Sequence, residues 1–261
     1  MEATLAREPL LSVENLSISF GGVVAVDGVT FDLEYGEATC LIGPNGAGKT
    51  TIFNLITGEL RAHAGSVVVA GRNVTGRPPF IVARHGVCRT FQDVRVFGGM
   101  TVFENVMSAF QGHPGERPWL VVTAPRKWRA LERKLGSEAL TIIEQVGLAA
   151  RQHVMAGDLS YAEQKLVILG RALAMRSSLW LLDEPSSGLD SSGVQQVMGV
   201  IKALTNAGQT VLIVEHNLAV VKDIARRVLF LSEGRVLADG PPDKIFGQAE
   251  LQSLYFGGRT R

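Results

Sequence analysis

Residues Gly43 to Thr50 read GPNGAGKT, a G-x-x-x-x-G-K-[ST] spacing that suits a loop wrapped around nucleotide phosphates. The residue types follow from that chemistry. Glycines let the backbone bend until several amide N–H groups converge on phosphate oxygens. A helix opening at the loop's end adds partial positive charge. Lys49 can neutralise charge on the β- and γ-phosphates, and the Thr50 hydroxyl can ligate Mg²⁺. The expected nucleotide contacts are Gly43, Pro44, Asn45, Gly46, Ala47, Gly48, Lys49, Thr50 and Thr51. The plain alternative, a Gly-rich turn that binds nothing, leaves the Lys-Thr pair without a purpose.

Two other stretches carry chemistry to the ends of apolar runs. "LWLLDEP" ends in Asp183 and Glu184. At the C-terminal end of a buried strand, where ligands of open α/β sheets collect, Asp183 suits a Mg²⁺ contact, directly or through water. Glu184 beside it suits polarising an attacking water. "VLIVEH" repeats the design and delivers Glu215 and His216, the latter placed to sense or hold a γ-phosphate. An acidic loop capping the next helix and a structural histidine are the plainer readings, and the phosphate loop upstream argues against both.

These residues need elements to hold them. "ATCLIG", just before the loop, reads as a short buried strand, and Lys49 to Thr57 as a helix stopped at Gly58. "SLWLLD" and "QTVLIVE" read as further buried strands, with helices after Ser160 to about Met175, over Ser191 to Ala207 and over "NLAVVKDIA". Buried strands alternating with helices predict a mostly parallel sheet. The early alternating runs "LLSVENLSISF", "VAVDGVTFDLEYGE" and "GSVVVAGRNV" predict an antiparallel subdomain beside it, and "RVLFLSEGRVLADG" a hairpin about Glu233-Gly234. From Phe103 to Leu148 the pattern is helical but broken by "QGHPGERP".

A chain of 261 residues with 46% apolar content suits one large α/β domain with an embedded subdomain. A net charge of +1 gives no bulk electrostatic argument for nucleic acid as a partner. Cys40 and Cys88 lack metal-ligand or C-x-x-C spacing and fit core thiols in a reducing compartment. The N-terminal residues lack the basic and apolar regions of a signal peptide, and no stretch of about 18 apolar residues offers a membrane span. The expectation is a cytosolic protein, or one attached to something that spans.

Taken in order, "GPNGAGKT", "LSYAEQ", "LLDEP", "SGLD" and "VEH" resemble the motifs of the ATP-binding subunits of ABC transporters, over nearly the whole chain from Leu11 to Gly257. The resemblance implies an α/β fold: a P-loop NTPase, RecA-like core with an antiparallel β subdomain and an inserted α-helical subdomain. In the single domain of residues 10–261, the core and β subdomain would occupy about 10–92 and 158–240, the helical subdomain about 93–157, and a helical tail 241–261. It implies ATP and Mg²⁺ as cofactors. Phe20 matches the aromatic that stacks on adenine. Gln92, in "RTFQ", matches the glutamine that reaches Mg²⁺ and links the site to the membrane partner. Ser160, Tyr161, Ala162 and Glu163 match the signature that caps ATP held by a second subunit. Ser187 to Asp190 match the D-loop between two sites.

The implied partners are transmembrane permease subunits, a second ATP-binding subunit (homo- or heterodimer) and, indirectly, a solute-binding protein, with no nucleic acid. The implied place is the cytoplasmic face of the plasma membrane, as a peripheral protein. "SISFGGVVAVDGVTFDL", "RTFQDVRVFGGMTVFENV" and the segment from His113 to Arg129 are most similar to the branched-chain amino acid importer type, with urea-type and lipopolysaccharide-exporter ATPases as further relatives. A soluble ABC ATPase acting on DNA or ribosomes would carry a coiled coil, tandem ATPase domains or zinc motifs. A P-loop kinase would not need "LSYAEQ" with "VEH", and a non-hydrolysing scaffold would not need Glu184.

The signature departs from the usual LSGGQ. Tyr161 fits the branched-chain type, but Ala162 stands where a second glycine is expected. Ser160 and Glu163 have the S-x-x-E spacing of a capping box, so the stretch is expected both to start a helix and to serve as a lid. The basic insert "RPWLVVTAPRKWRALERK" reads as a solvated amphipathic helix with tryptophan packed inward, in preference to a membrane-facing one.

Overall fold

A computed structural model describes residues 8–90, 95–111 and 123–248. Strands β1 (Leu11–Phe20), β2 (Val23–Leu33), β4 (Ala64–Val69) and β5 (Arg72–Asn73) form an antiparallel sheet in the order β2-β1-β4-β5. In β1 the apolar side chains Leu11, Val13, Leu16 and Ile18 turn inward while the residues between them are more exposed, as a sheet with one wet face requires. A second sheet holds β3 (Ala38–Ile42), β6 (Val87–Thr90), β7 (Leu179–Asp183), β8 (Thr210–Val214), β9 (Arg227–Ser232) and β10 (Arg235–Gly240), in the order β10-β9-β3-β8-β7-β6. Strands β3, β7 and β8 are buried at every position, the pattern of a parallel sheet covered on both faces. The pairs β9·β3, β3·β8 and β8·β7 are parallel, and β10 returns antiparallel on β9.

Helix α1 (Lys49–Ile56) follows β3 and buries Ile52, Phe53 and Ile56. One core joins these to Leu11, Val13, Val29 and Phe31 of the antiparallel sheet and to Leu41, Leu181, Leu212 and Leu229 of the parallel one. Cys40 and Cys88 are both free and buried. Burial, and then the nearby Glu215 carboxylate, pushes the Cys40 thiol far up, so it stays a protonated core side chain.

The described residues divide into two compact units. One contains those up to Arg89, Ser178–Pro185 and those from Lys202 on, including both sheets, α1, α2 (Pro79–Arg84), α7 (Leu218–Ile224) and α8 (Pro242–Phe246). The other contains Thr90–Ser177 and Ser186–Ile201. In it α3 (Val102–Met107), α4 (Pro125–Gln145) and α5 (Tyr161–Ala174) pack on one another. Helix α6 (Ser191–Asn206) begins in this unit. The sequence suggests a helical insert over 93–157; the contacts carry the unit further, through α5 and into residues 186–201. The expected tryptophan helix is α4. Its buried stripe is Leu135, Ala139 and Ile143, spaced four apart, and Trp128 is half-buried on its first turn. Gln92, the first part of the basic insert (117–122) and the tail (249–261) lie outside the described residues. No helix among the described residues is long and apolar enough to cross a membrane.

Leu212 is fully buried on β8, between the strands that carry the site. Leu212→Ala should cost about 2–5 kcal/mol of unfolding free energy, seen as a lower urea midpoint at unchanged slope.

Candidate functional site

The parallel register brings three strand ends to one edge. Leu41 pairs with Val214 and Asp183 with Val214, so the loop after β3, the Asp183–Glu184 pair and the Glu215–His216 pair all leave the sheet together. With neighbouring strands about 4.8 Å apart, β3 and β7 stand roughly 10 Å from each other across β8, a span that a nucleotide's phosphates can fill.

The loop is held by its glycines. A Cβ at Gly43 would stand 2.0 Å from the Leu231 carbonyl oxygen, and one at Gly48, where φ is +104°, would stand 2.4 Å from the Ala25 carbonyl oxygen. No side chain fits either place. Gly48 precedes α1 directly, and the Ile52 N–H donates to its carbonyl at 2.9 Å. Asn45, Gly46 and Thr50 are exposed, whereas Ala47 and Lys49 are buried. Lys49 Nζ donates to the Gly43 and Pro44 carbonyls, both at 2.8 Å, so it folds back over its own loop. Burial lowers the Lys49 pKa, and the carboxylates of Glu184 and Asp183 oppose that shift. The lysine therefore lies within the field of both acids.

Asp183 is buried at the end of β7, and its Oδ2 accepts from Arg89 Nη2 at 3.0 Å. Arg89 also donates to Asn54 on α1 and to Glu59, and it stacks over Phe53 with 5.6 Å from Cζ to the ring centroid. Sequence reasoning missed this arginine. It sits in the quoted "RTFQ" stretch, three residues before Gln92, and its signal was a lone cation in a strand whose neighbours are apolar or hydroxylic.

Glu184 has φ +47°, a left-handed conformation that costs a non-glycine residue about 1–2 kcal/mol. Its N–H donates to the Val214 carbonyl at 2.9 Å, which fixes the turn. Its Oε1 lies 2.7 Å from His216 Nε2. With the carboxylate ionised, the imidazole Nε2–H donates to it. Buried Glu215 accepts from the His216 and Asn217 N–H groups and so shapes the turn that presents the histidine. Phe20 ends β1 and is 47% exposed, an aromatic face open to a planar ligand.

In the second unit Ser160 caps α5 with a complete capping box. The Glu163 N–H donates to Ser160 Oγ, while the Ser160 N–H and hydroxyl donate to Glu163 Oε2 at 2.9 and 2.8 Å. Burial raises the Glu163 pKa, but these bonds and Arg151 outweigh it and hold the carboxyl below its usual range. Tyr161 is exposed and Ala162 half-buried. Asp190 Oδ1 accepts from the Gly193 N–H at 2.8 Å and caps α6.

A phosphate loop between a parallel strand and a helix, with carboxylates on the adjoining strand ends, defines a nucleotide-binding P-loop ATPase. A family model described as ABC transporter matches residues 26–187. The chain belongs to that family, as its ATP-binding, ATP-hydrolysing component. It is 34% identical over 250 residues to the high-affinity branched-chain amino acid transport ATP-binding protein BraF of Pseudomonas aeruginosa, covering 95% of this chain and 98% of that one. It is also 34% identical over 251 residues to LivG of Escherichia coli, covering 96% of this chain and 98% of LivG. Among solved structures, an ABC transporter's ATP-binding cassette in its ADP conformation superposes with a TM-score of 0.82 at 31% identity, covering 96% of this chain and 99% of that one. A nucleotide-free cassette gives 0.81 at 30% identity, covering 95% and 99%.

Removing Arg89 strands the buried Asp183 carboxylate. Arg89→Met should cost about 3–5 kcal/mol of stability, measured by urea unfolding, and Arg89→Lys should recover only part of it because a single ammonium cannot span Asp183, Asn54 and Glu59. Gly48→Ala should abolish ATP binding in calorimetry, since its methyl meets the Ala25 carbonyl.

Proposed function

We propose that this chain drives an importer of branched-chain amino acids, as one of two ATPase subunits seated on membrane-spanning permease subunits at the cytoplasmic face. The observation that carries this reading is the 34% identity to transport ATP-binding proteins named for those solutes, sustained over 95–96% of this chain. A likeness of that extent includes segments with no part in nucleotide chemistry, which are the ones that would meet partners.

In this reading Phe20 stacks on adenine, and the loop from Gly43 to Thr51 cradles the phosphates. Lys49 exchanges the Gly43 and Pro44 carbonyls for phosphate oxygens, a stronger acceptor for an ammonium. Thr50, Asp183 and Gln92 would hold Mg²⁺; a hydroxyl, a carboxylate and an amide are the hard oxygen donors that ion takes. When bound, the ion would spread the charge that develops on the phosphates during hydrolysis. Glu184 takes a proton from the attacking water, and His216 fixes the carboxylate through their 2.7 Å contact. Ser160 and its neighbours cap the ATP of the other subunit, and the D-loop lies beside it. ATP thereby favours the closed pair over the open one, and hydrolysis releases it. The second unit, as the helical subdomain, conveys the motion to the permease.

Glu184→Gln should slow turnover roughly 10²–10⁴-fold while ATP still binds, and the protein should accumulate as an ATP-bound dimer. Near-normal turnover would remove Glu184 from this role. In vesicles holding the complete transporter, ATP-dependent uptake of labelled leucine should be competed by valine and isoleucine and untouched by urea; competition by urea alone would replace the solute assigned here.

A further inference from the structure

Three side chains on the first turn of α5 reach the same neighbouring segment. The Tyr161 ring lies against Gly188: a Cβ there would stand 3.1 Å from Tyr161 Cε1. The Ala162 methyl lies against Gly193, where an added Cβ would stand 3.1 Å from it and 3.0 Å from Asp190 Oδ1. Lys165 is buried, donates from Nζ to the Ser187 carbonyl at 2.7 Å, and lies 5.2 Å from the centroid of the Tyr161 ring. Gly193 is itself buried and anchors Asp190 through its N–H. The contacts within the second unit agree, since it includes Ser186–Ile201 along with α5.

We propose that Tyr161, Ala162 and Lys165 are positioning residues that clamp the D-loop to the signature, so that both meet the partner subunit's nucleotide as one rigid piece; this rests on the two-subunit reading above. The two residues that replace the glycines of the usual signature are the two whose side chains touch Gly188 and Gly193. Glycine in both places would remove both of these contacts and leave the Lys165 hydrogen bond to Ser187. The Ala162 methyl, at the place where the signature expects a second glycine, is packed on the start of α6. Its effect on the lid passes through the D-loop.

Amide hydrogen exchange on the isolated full chain tests the clamp without any partner. Tyr161→Gly combined with Lys165→Met should speed exchange at residues 186–190 by about tenfold, an ordinary contact coupling, and leave residues 43–50 unaffected. Unchanged exchange overturns the clamp. A methyl-transfer cycle in the Glu184→Gln background then tests its consequence. Gly193→Ala should weaken ATP-driven dimerisation about tenfold with ATP affinity of the monomer intact, because its new methyl presses on Ala162 and on the Asp190 carboxylate. Adding Ala162→Gly should bring dimerisation back to within about threefold. A double variant as weak as Gly193→Ala alone overturns the coupling and leaves the two-subunit reading standing. A parent chain that never dimerises with ATP, alone or with a second ATPase subunit, overturns that reading and the proposal with it.

Discussion

Two carbonyl oxygens, those of Leu231 and Ala25, approach the phosphate loop more closely than any side chain would permit. They belong to different sheets: Leu231 to β9, beside the loop's own strand, and Ala25 to β2 of the antiparallel sheet. The turn between β9 and β10 adds a third hold, where the Gly234 N–H donates to the Ala47 carbonyl at 3.0 Å and the Gly234 carbonyl accepts from the Asp27 N–H at 2.9 Å. The loop is thus gripped by backbone on both sides. Its amides are aimed before any phosphate arrives, and the cost of ordering them is met by folding rather than by binding.

The same constraint orders the rest of the site. Because β3, β8 and β7 are parallel and in register, a fixed loop after β3 fixes where the ends of the other two must act. Asp183 is held there by Arg89, which also reaches α1, the helix that the loop opens. Glu184 is turned into the left-handed region and tied to β8 by its N–H, and its carboxylate meets the histidine from the end of that strand. Backbone strain of this kind persists only where surrounding bonds over-determine it. Here the Val214 carbonyl and His216 do so.

Much of this was legible in the order of residues because the signals are local. The phosphate loop, the acidic strand ends and the capping box of Ser160 and Glu163 each depend on neighbours within a few positions, and the structure has the strands, helices and cap where those patterns predict them. What was hidden depends on contacts between distant segments. Arg89 and Asp183 are far apart in the chain and meet only through the sheet order β8-β7-β6. The reach of the second unit into residues 186–201 depends on Tyr161, Ala162 and Lys165 meeting glycines and a carbonyl more than twenty residues on. No periodicity announces such pairings. The methyl of Ala162 shows the difference: the sequence says that it is there, and only the packing says which way it faces.

The loop's backbone is a phosphate cradle shaped before its ligand arrives. Amide hydrogen exchange over residues 43–52, measured with and without ATP, tests it directly. Ala47 and Ile52, whose N–H groups are already bonded, should exchange slowly in both states, and the exposed Gly46 and Thr50 should gain strong protection only when ATP is present. Exchange at Gly46 and Thr50 that ATP leaves unchanged would contradict it.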